Sequence, residues 1–119
     1  MDLSAYLNDT NAITAAYRAA AAWTRINDKP SSVAFKKPDG TVLTAQTVRL
    51  EYDNRATEAQ GSAGKAPVRK LTIFGVRNHA TVTNTIVDTG YRFVLDGREY
   101  RVVDTIVTIG EIQATAEVV

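Results

Sequence analysis

A chain of 119 residues, 45% hydrophobic and 23% charged, has the size and make-up of one globular domain, which excludes disorder throughout. A net charge of +1 excludes nucleic-acid binding driven by overall charge, and the absence of cysteine excludes disulfides and thiolate metal sites. The start, Met1-Asp2-Leu3-Ser4, has neither the basic nor the long apolar region of a signal peptide; the apolar run at 19–23, flanked by Arg18 and Arg25, is too short to cross a bilayer.

Residues 10–27 are rich in alanine, the best helix former, and predict a helix. Ile13, Ala16, Tyr17, Ala20, Trp23 and Asn27 recur at three- and four-residue spacing and mark its expected apolar stripe. Thr10 or Asn11 can cap its start, because a short side-chain oxygen accepts an orphan backbone N–H. Pro30 ends it, since the residue before proline disfavours helical angles. Leu3, Tyr6 and Leu7 suggest a short turn of helix ahead of it.

After Pro30 the period becomes strand-like. Val33 and Phe35 alternate with polar neighbours, Lys37-Pro38-Asp39-Gly40 is a turn, and 42–52 places Val48, Leu50 and Tyr52 on one face. These make a hairpin with long arms. Residues 53–67 contain no large apolar side chain and cannot offset their ordering entropy by burial, so a long mobile loop is expected there. Residues 68–76 return to strand character with apolar side chains on both faces, as in a central strand, and Gly75 marks a bulge or a close backbone approach. The connection 78–89 is Thr-rich, with Val82, Ile86 and Val87 as its expected anchors.

The last thirty or so residues carry the clearest signal. Asp96-Gly97 between two alternating apolar runs is a strong hairpin signature. It sets Leu95 opposite Arg98, Phe93 opposite Tyr100 and Tyr91 opposite Val102, all on one buried face. Arg92 and Arg101 then face each other on the outer side. A second reversal at Ile109-Gly110 is expected to pair Val107 with Ile112 and Val103 with Ala116. The whole is α+β and mainly β: an antiparallel sandwich or barrel of about six strands with an N-terminal helix, in one domain at 1–119 (helical 1–28, β 29–119 with its loop at 53–67).

Charge is uneven along the chain. Residues 29–77 hold nine Lys/Arg against four acids, whereas 88–119 hold three against six. A subunit with one basic and one acidic end, and a chance distribution, both fit this pattern.

No catalytic, cofactor or metal site is expected. His79 is the single histidine, with no Ser, Cys or acid at a partnering spacing, which favours a surface or loop-packing role over that of a general base. Gly61-Ser62-Ala63-Gly64-Lys65 fails as a phosphate-binding loop: its spacing is short, Ala66 stands where Ser/Thr is needed, and no helix follows.

The run from Asp88 through Tyr91-Arg92-Phe93-Val94-Leu95-Asp96-Gly97-Arg98-Glu99-Tyr100 to Val103 resembles the C-terminal part of head–tail joining proteins (head-completion, stopper or connector proteins) of long-tailed bacteriophages, lambda-type. The order of parts is similar too: helical segment, hairpin, loop, strand, meander. The resemblance implies a non-enzymatic virion protein of the neck, assembled in the host cytoplasm. It would form a homo-oligomeric ring of about six or twelve copies, close the DNA-filled head and offer the tail its docking surface. Implied partners are further copies of itself, a portal or adaptor protein, a tail terminator or tail-tube protein, and packaged DNA in the channel, with no membrane and no cofactor. Candidate contact residues are Asp53, Asn54, Arg55, Glu58, Lys65, Arg69 and Lys70 in and after the loop, with Arg92 and Arg101 on the hairpin. The alternatives are a tail terminator or tail-tube component, and a small ligand- or nucleic-acid-binding β-barrel.

Overall fold

The alanine-rich segment folds as one helix, α1 (Leu3–Asp28), in a computed structural model that describes residues 3–52 and 70–119, with side chains from residue 13 onward. It ends just ahead of Pro30, as expected, but begins a full two turns before Thr10. Neither Thr10 nor Asn11 is a cap, and the short turn expected around Leu3 is part of the same helix. Helix growth explains the difference: extending an existing helix needs no new nucleus, so an alanine-rich body carries weaker formers along with it.

Six strands follow: β1 (Ser31–Val33), β2 (Gln46–Tyr52), β3 (Lys70–Val76), β4 (Arg92–Leu95), β5 (Arg98–Thr108) and β6 (Glu111–Val118). They form one antiparallel sheet in the order β1-β2-β3-β6-β5-β4, which curls into a nearly closed barrel. Closure comes from Lys36, just beyond β1, which exchanges both backbone hydrogen bonds with Arg92 at 2.7 and 2.9 Å.

The Asp96-Gly97 hairpin has the expected register, with Phe93 opposite Tyr100 and Leu95 opposite Arg98. Both turn residues take positive φ, 51° and 77°, as the tight two-residue turn requires. The second reversal pairs Val107 with Ile112, again as expected, but Ala116 faces Val102 rather than Val103. A bulge between Val102 and Asp104 absorbs one residue and returns the pairing to phase.

The first hairpin has shorter arms than its pattern suggests. Lys36 bridges Val42 beside the turn, while β1 pairs with β2 only from Val33 and Gln46 outward. Residues 43–45 slip the register between those two points. In the turn, Thr41 N–H donates to Asp39 Oδ1 at 2.8 Å. That bond holds the exposed Asp39 carboxyl below its ordinary 3.8, because the ionised form is the better acceptor.

Inside the barrel, Phe35, Val48, Leu71, Ile73, Tyr100 and Val102 are almost wholly buried. Each such side chain contributes about 1.5–3 kcal/mol relative to exposure. Phe93 sits edge-on to Phe35 at 5.5 Å and stacks on Tyr100 at 5.4 Å, so one aromatic column links the seam to the meander. β3 is central, between β2 and β6: Leu71 and Ile73 point into the barrel, while Phe74 and Val76 lie on its outer face.

That outer face is where α1 docks. Ala19, Ala22 and Ile26 are buried against Val76, with Trp23 and Val82 packed alongside. The expected stripe through Ile13 and Tyr17 is therefore wrong: both are exposed. Small residues face the sheet because the backbones come close together. A Cβ on Gly110, at the β5–β6 turn, would stand 2.7 Å from the Ala19 nitrogen. Arg25 fixes the other end of the contact, pairing with Glu111 at 3.0 Å and lying 5.1 Å over the Phe74 ring. Arg49 donates to the Arg25 carbonyl at 3.1 Å, satisfying a carbonyl of the last turn.

The connection after β3 is held by Thr85 and Val87, which are buried, rather than by Ile86, which is exposed. Thr85 fills the space opened by Gly75, confirming a close approach there. The stretch 53–67, with the loop expected in it, lies outside the described residues, as does Arg69. Among the described residues no helix is long and apolar enough to cross a membrane.

Candidate interaction surface

Alternation along the strands sends Lys36, Arg92 and Arg101 outward, because their neighbours Phe35, Phe93, Tyr100 and Val102 point into the core. Register then aligns them. Lys36 bridges Arg92, Arg92 faces Arg101, Arg101 faces Glu117, and Glu117 faces Lys70. Five charged side chains thus form one row around the barrel, perpendicular to the strands. Four strand-to-strand steps separate Lys36 from Lys70, about 19 Å along the curved surface.

Two carboxylates temper the row. Glu117 pairs with Lys70 at 3.5 Å, and Glu99, two residues before Arg101 on the same face, approaches Arg92 at 3.8 Å. Both are partly exposed contacts of small energy. Among the described residues, Lys36 and Arg101 make no salt bridge, and Lys37 acts on the Asp39 carboxylate at longer range. Lys36, Lys37, Arg92 and Arg101 line a depression of about 260 Å³ over the seam, together with Glu99, Pro38 and Gly90.

A second surface lies at the opposite end of β3, about 20 Å from Lys70 along the strand. Ile13 and Tyr17 on α1 and Ile106, Val107 and Ile109 on the β5–β6 hairpin are between 54% and 72% exposed. The hairpin turn touches the helix at Arg18 and Ala19, so Tyr17 and Ile109 flank the same junction. Beside it, an open groove of about 480 Å³ runs past Trp23 and Val76 to the segment 83–86. One wall is fixed by Gln46, whose side-chain amide accepts from Ile86 N–H at 2.7 Å and donates to Ile86 O at 2.9 Å.

The structure brings three of the candidate contact residues, Lys70, Arg92 and Arg101, into one row. Asp53, Asn54, Arg55, Glu58, Lys65 and Arg69 lie outside the described residues. Lys36 and Lys37 were missed by sequence reasoning: their only signal is a lysine pair before a turn, and their place beside Arg92 comes from barrel closure. Among the described residues, the basic and acidic halves of the sequence are not set at separate ends, because β3 lies against β6 and Lys36 against Arg92. His79 packs in the connection. Its Nδ1 accepts from Thr81 and Val82 N–H at 3.1 and 3.0 Å, and its ring meets Trp23 edge-on at 6.2 Å. Among the described residues, no cluster of His, Asp and Glu is placed to hold a metal ion.

No protein-family model, curated protein or solved structure matches the chain. The likeness to head–tail joining proteins therefore rests on residues 88–103 and the order of parts.

Proposed function

We propose that the chain is a non-enzymatic structural protein of a phage virion that forms a ring at the head–tail interface, closing the DNA-filled head and offering the tail its docking surface. The observation that carries this reading is the apolar surface at Ile13, Tyr17, Ile106, Val107 and Ile109. Large apolar side chains left exposed on the helix and on the β5–β6 hairpin at one end of the domain are candidates for an interface. The exposed part of α1 lies on a different face from the groove beside Trp23. A contact between unlike faces of neighbouring copies is head-to-tail, and such contacts give a ring where the rotation between copies closes. The resemblance of residues 88–103 supplies the place in the particle.

The test is an affinity pull-down of the tagged chain from cells producing the phage or prophage, read by mass spectrometry. Portal or adaptor protein recovered together with a tail-terminator protein supports the neck. Tail-tube subunits alone would move the chain into the tail, as a terminator or tube component. Recovery of nucleic acid or host proteins alone would overturn the virion reading in favour of a small binding barrel, which the cationic row favours.

A further inference from the structure

We propose that the row Lys36–Arg92–Arg101–Lys70 is a binding surface for the phosphate backbone of double-stranded nucleic acid, engaged without regard to sequence.

Placement is the first argument. Arg92, Arg101 and Lys70 lie on three different strands and Lys36 at a bridge beyond β1, and the fold alone brings them into register. Arg92 directly opposite Arg101 is unfavourable in the isolated chain, because like charges repel across a strand pair. A polyanion laid across the row removes that repulsion.

The ligand class follows from what the row holds and lacks. Arginine offers planar forks that match phosphate oxygens, and lysine adds point charge. Lys36 and Arg101 make no salt bridge among the described residues, so binding need not first break an ion pair there. The row carries no aromatic side chain. Single strands are held by stacking bases on aromatics, and here Phe93 and Tyr100 are buried on the inner face. Among the described residues, apolar side chains meet the row only at Val42, bridged to Lys36, and at Val94, two residues after Arg92 on the same face, less than the apolar core a protein partner would need. What remains is a line of four cations, interrupted by Glu117 between Arg101 and Lys70, which suits backbone contact.

Binding by a single copy suffices, so this inference survives if the chain proves not to be a virion part, and a neck location would not establish it. The experiment is fluorescence anisotropy of a short labelled DNA duplex of mixed sequence, titrated with the full chain. Neutralising about three phosphates gives a slope near −2.7 in log affinity against log salt, or about a fortyfold loss between 50 and 200 mM. The variant carrying Lys36→Gln and Arg101→Gln should reduce the slope by about two, while Lys29→Gln, an exposed lysine outside the row, should leave it unchanged. Circular dichroism shows that each variant is folded.

Absence of binding at about 50 mM salt, or a slope unchanged in the double variant, would overturn the proposal. Tighter binding of the single strand than of the duplex would also overturn it. Poly-glutamate binding as tightly as DNA would assign the row to an acidic protein surface instead.

Discussion

Lys36 and Arg92 close the barrel with a reciprocal pair of backbone hydrogen bonds, 2.7 and 2.9 Å, while placing two cations side by side on its outer surface. Backbone and side chain therefore do separate work at Lys36. Lys36→Pro removes the amide donor and should cost about 1–3 kcal/mol, because the Arg92 carbonyl loses its partner at the seam. Lys36→Gln keeps both bonds and relieves like-charge repulsion, so it should change stability by less than about 0.5 kcal/mol. Urea denaturation of the two variants checks this, and equal losses would show that closure does not depend on the backbone pair.

Thr85 locks the connection to the end of β3. Its Oγ1 accepts from Val76 N–H at 2.9 Å, and its own N–H donates to Val76 O at 2.9 Å. Thr85→Val keeps the shape but leaves a buried amide unpaired, at about 1–3 kcal/mol. Thr85→Ser keeps the acceptor and should lose less. Gly75→Ala drives a methyl to 2.6 Å from the Thr85 Cβ and should also destabilise. Combined with Thr85→Ser, which removes the clashing Cγ2 at 2.7 Å but not Cβ, the loss should be less than additive. Thermal melts of the single and double variants provide the comparison, and strict additivity would mean that the two residues do not touch in solution.

The Asp39 carboxyl should titrate below 3.8, because the Thr41 amide donates to its ionised form. A lowered folded-state pKa makes the stabilising contribution complete above the unfolded value and removes it as pH falls through the folded one. Side-chain carboxyl shifts followed by NMR give the midpoint directly. Asp39→Ala should abolish that acid-side component, and a midpoint above 3.8 would contradict the turn geometry.

What could be foreseen follows the range of the interactions involved. Asp96-Gly97 gave the β4–β5 register because a two-residue turn leaves the flanking strands one in-phase pairing. The same logic carried Val107 to Ile112 but failed at Val103, since nothing local announces a bulge after Val102. On α1, Ile13 and Tyr17 outweighed Ala19 and Ala22 in the hydropathy pattern. Which face is buried depends on how closely the Gly110 backbone approaches, and that is a tertiary fact. Arg92 and Arg101 were recognisable as an opposed pair from the hairpin. Lys36 and Lys70 join them only through closure of the barrel and the β3–β6 pairing, contacts made between residues far apart in the chain.

The two faces of α1 should respond oppositely to substitution. Ala19 is fully buried, with the Gly110 backbone against it. Ala19→Leu has no room and should destabilise by about 1–3 kcal/mol through overpacking. Tyr17 and Ile13 are 72% and 55% exposed, and serine has nearly the helix propensity of either. Ile13→Ser with Tyr17→Ser should therefore shift the stability of the single chain by no more than about 0.5 kcal/mol. If that face joins copies into a ring, the same double variant should lose the high-mass species seen by light scattering while keeping the melting curve of the parent. A variant that assembles as the parent does would remove Ile13 and Tyr17 from the interface. One that melts early would show that they stabilise the fold instead.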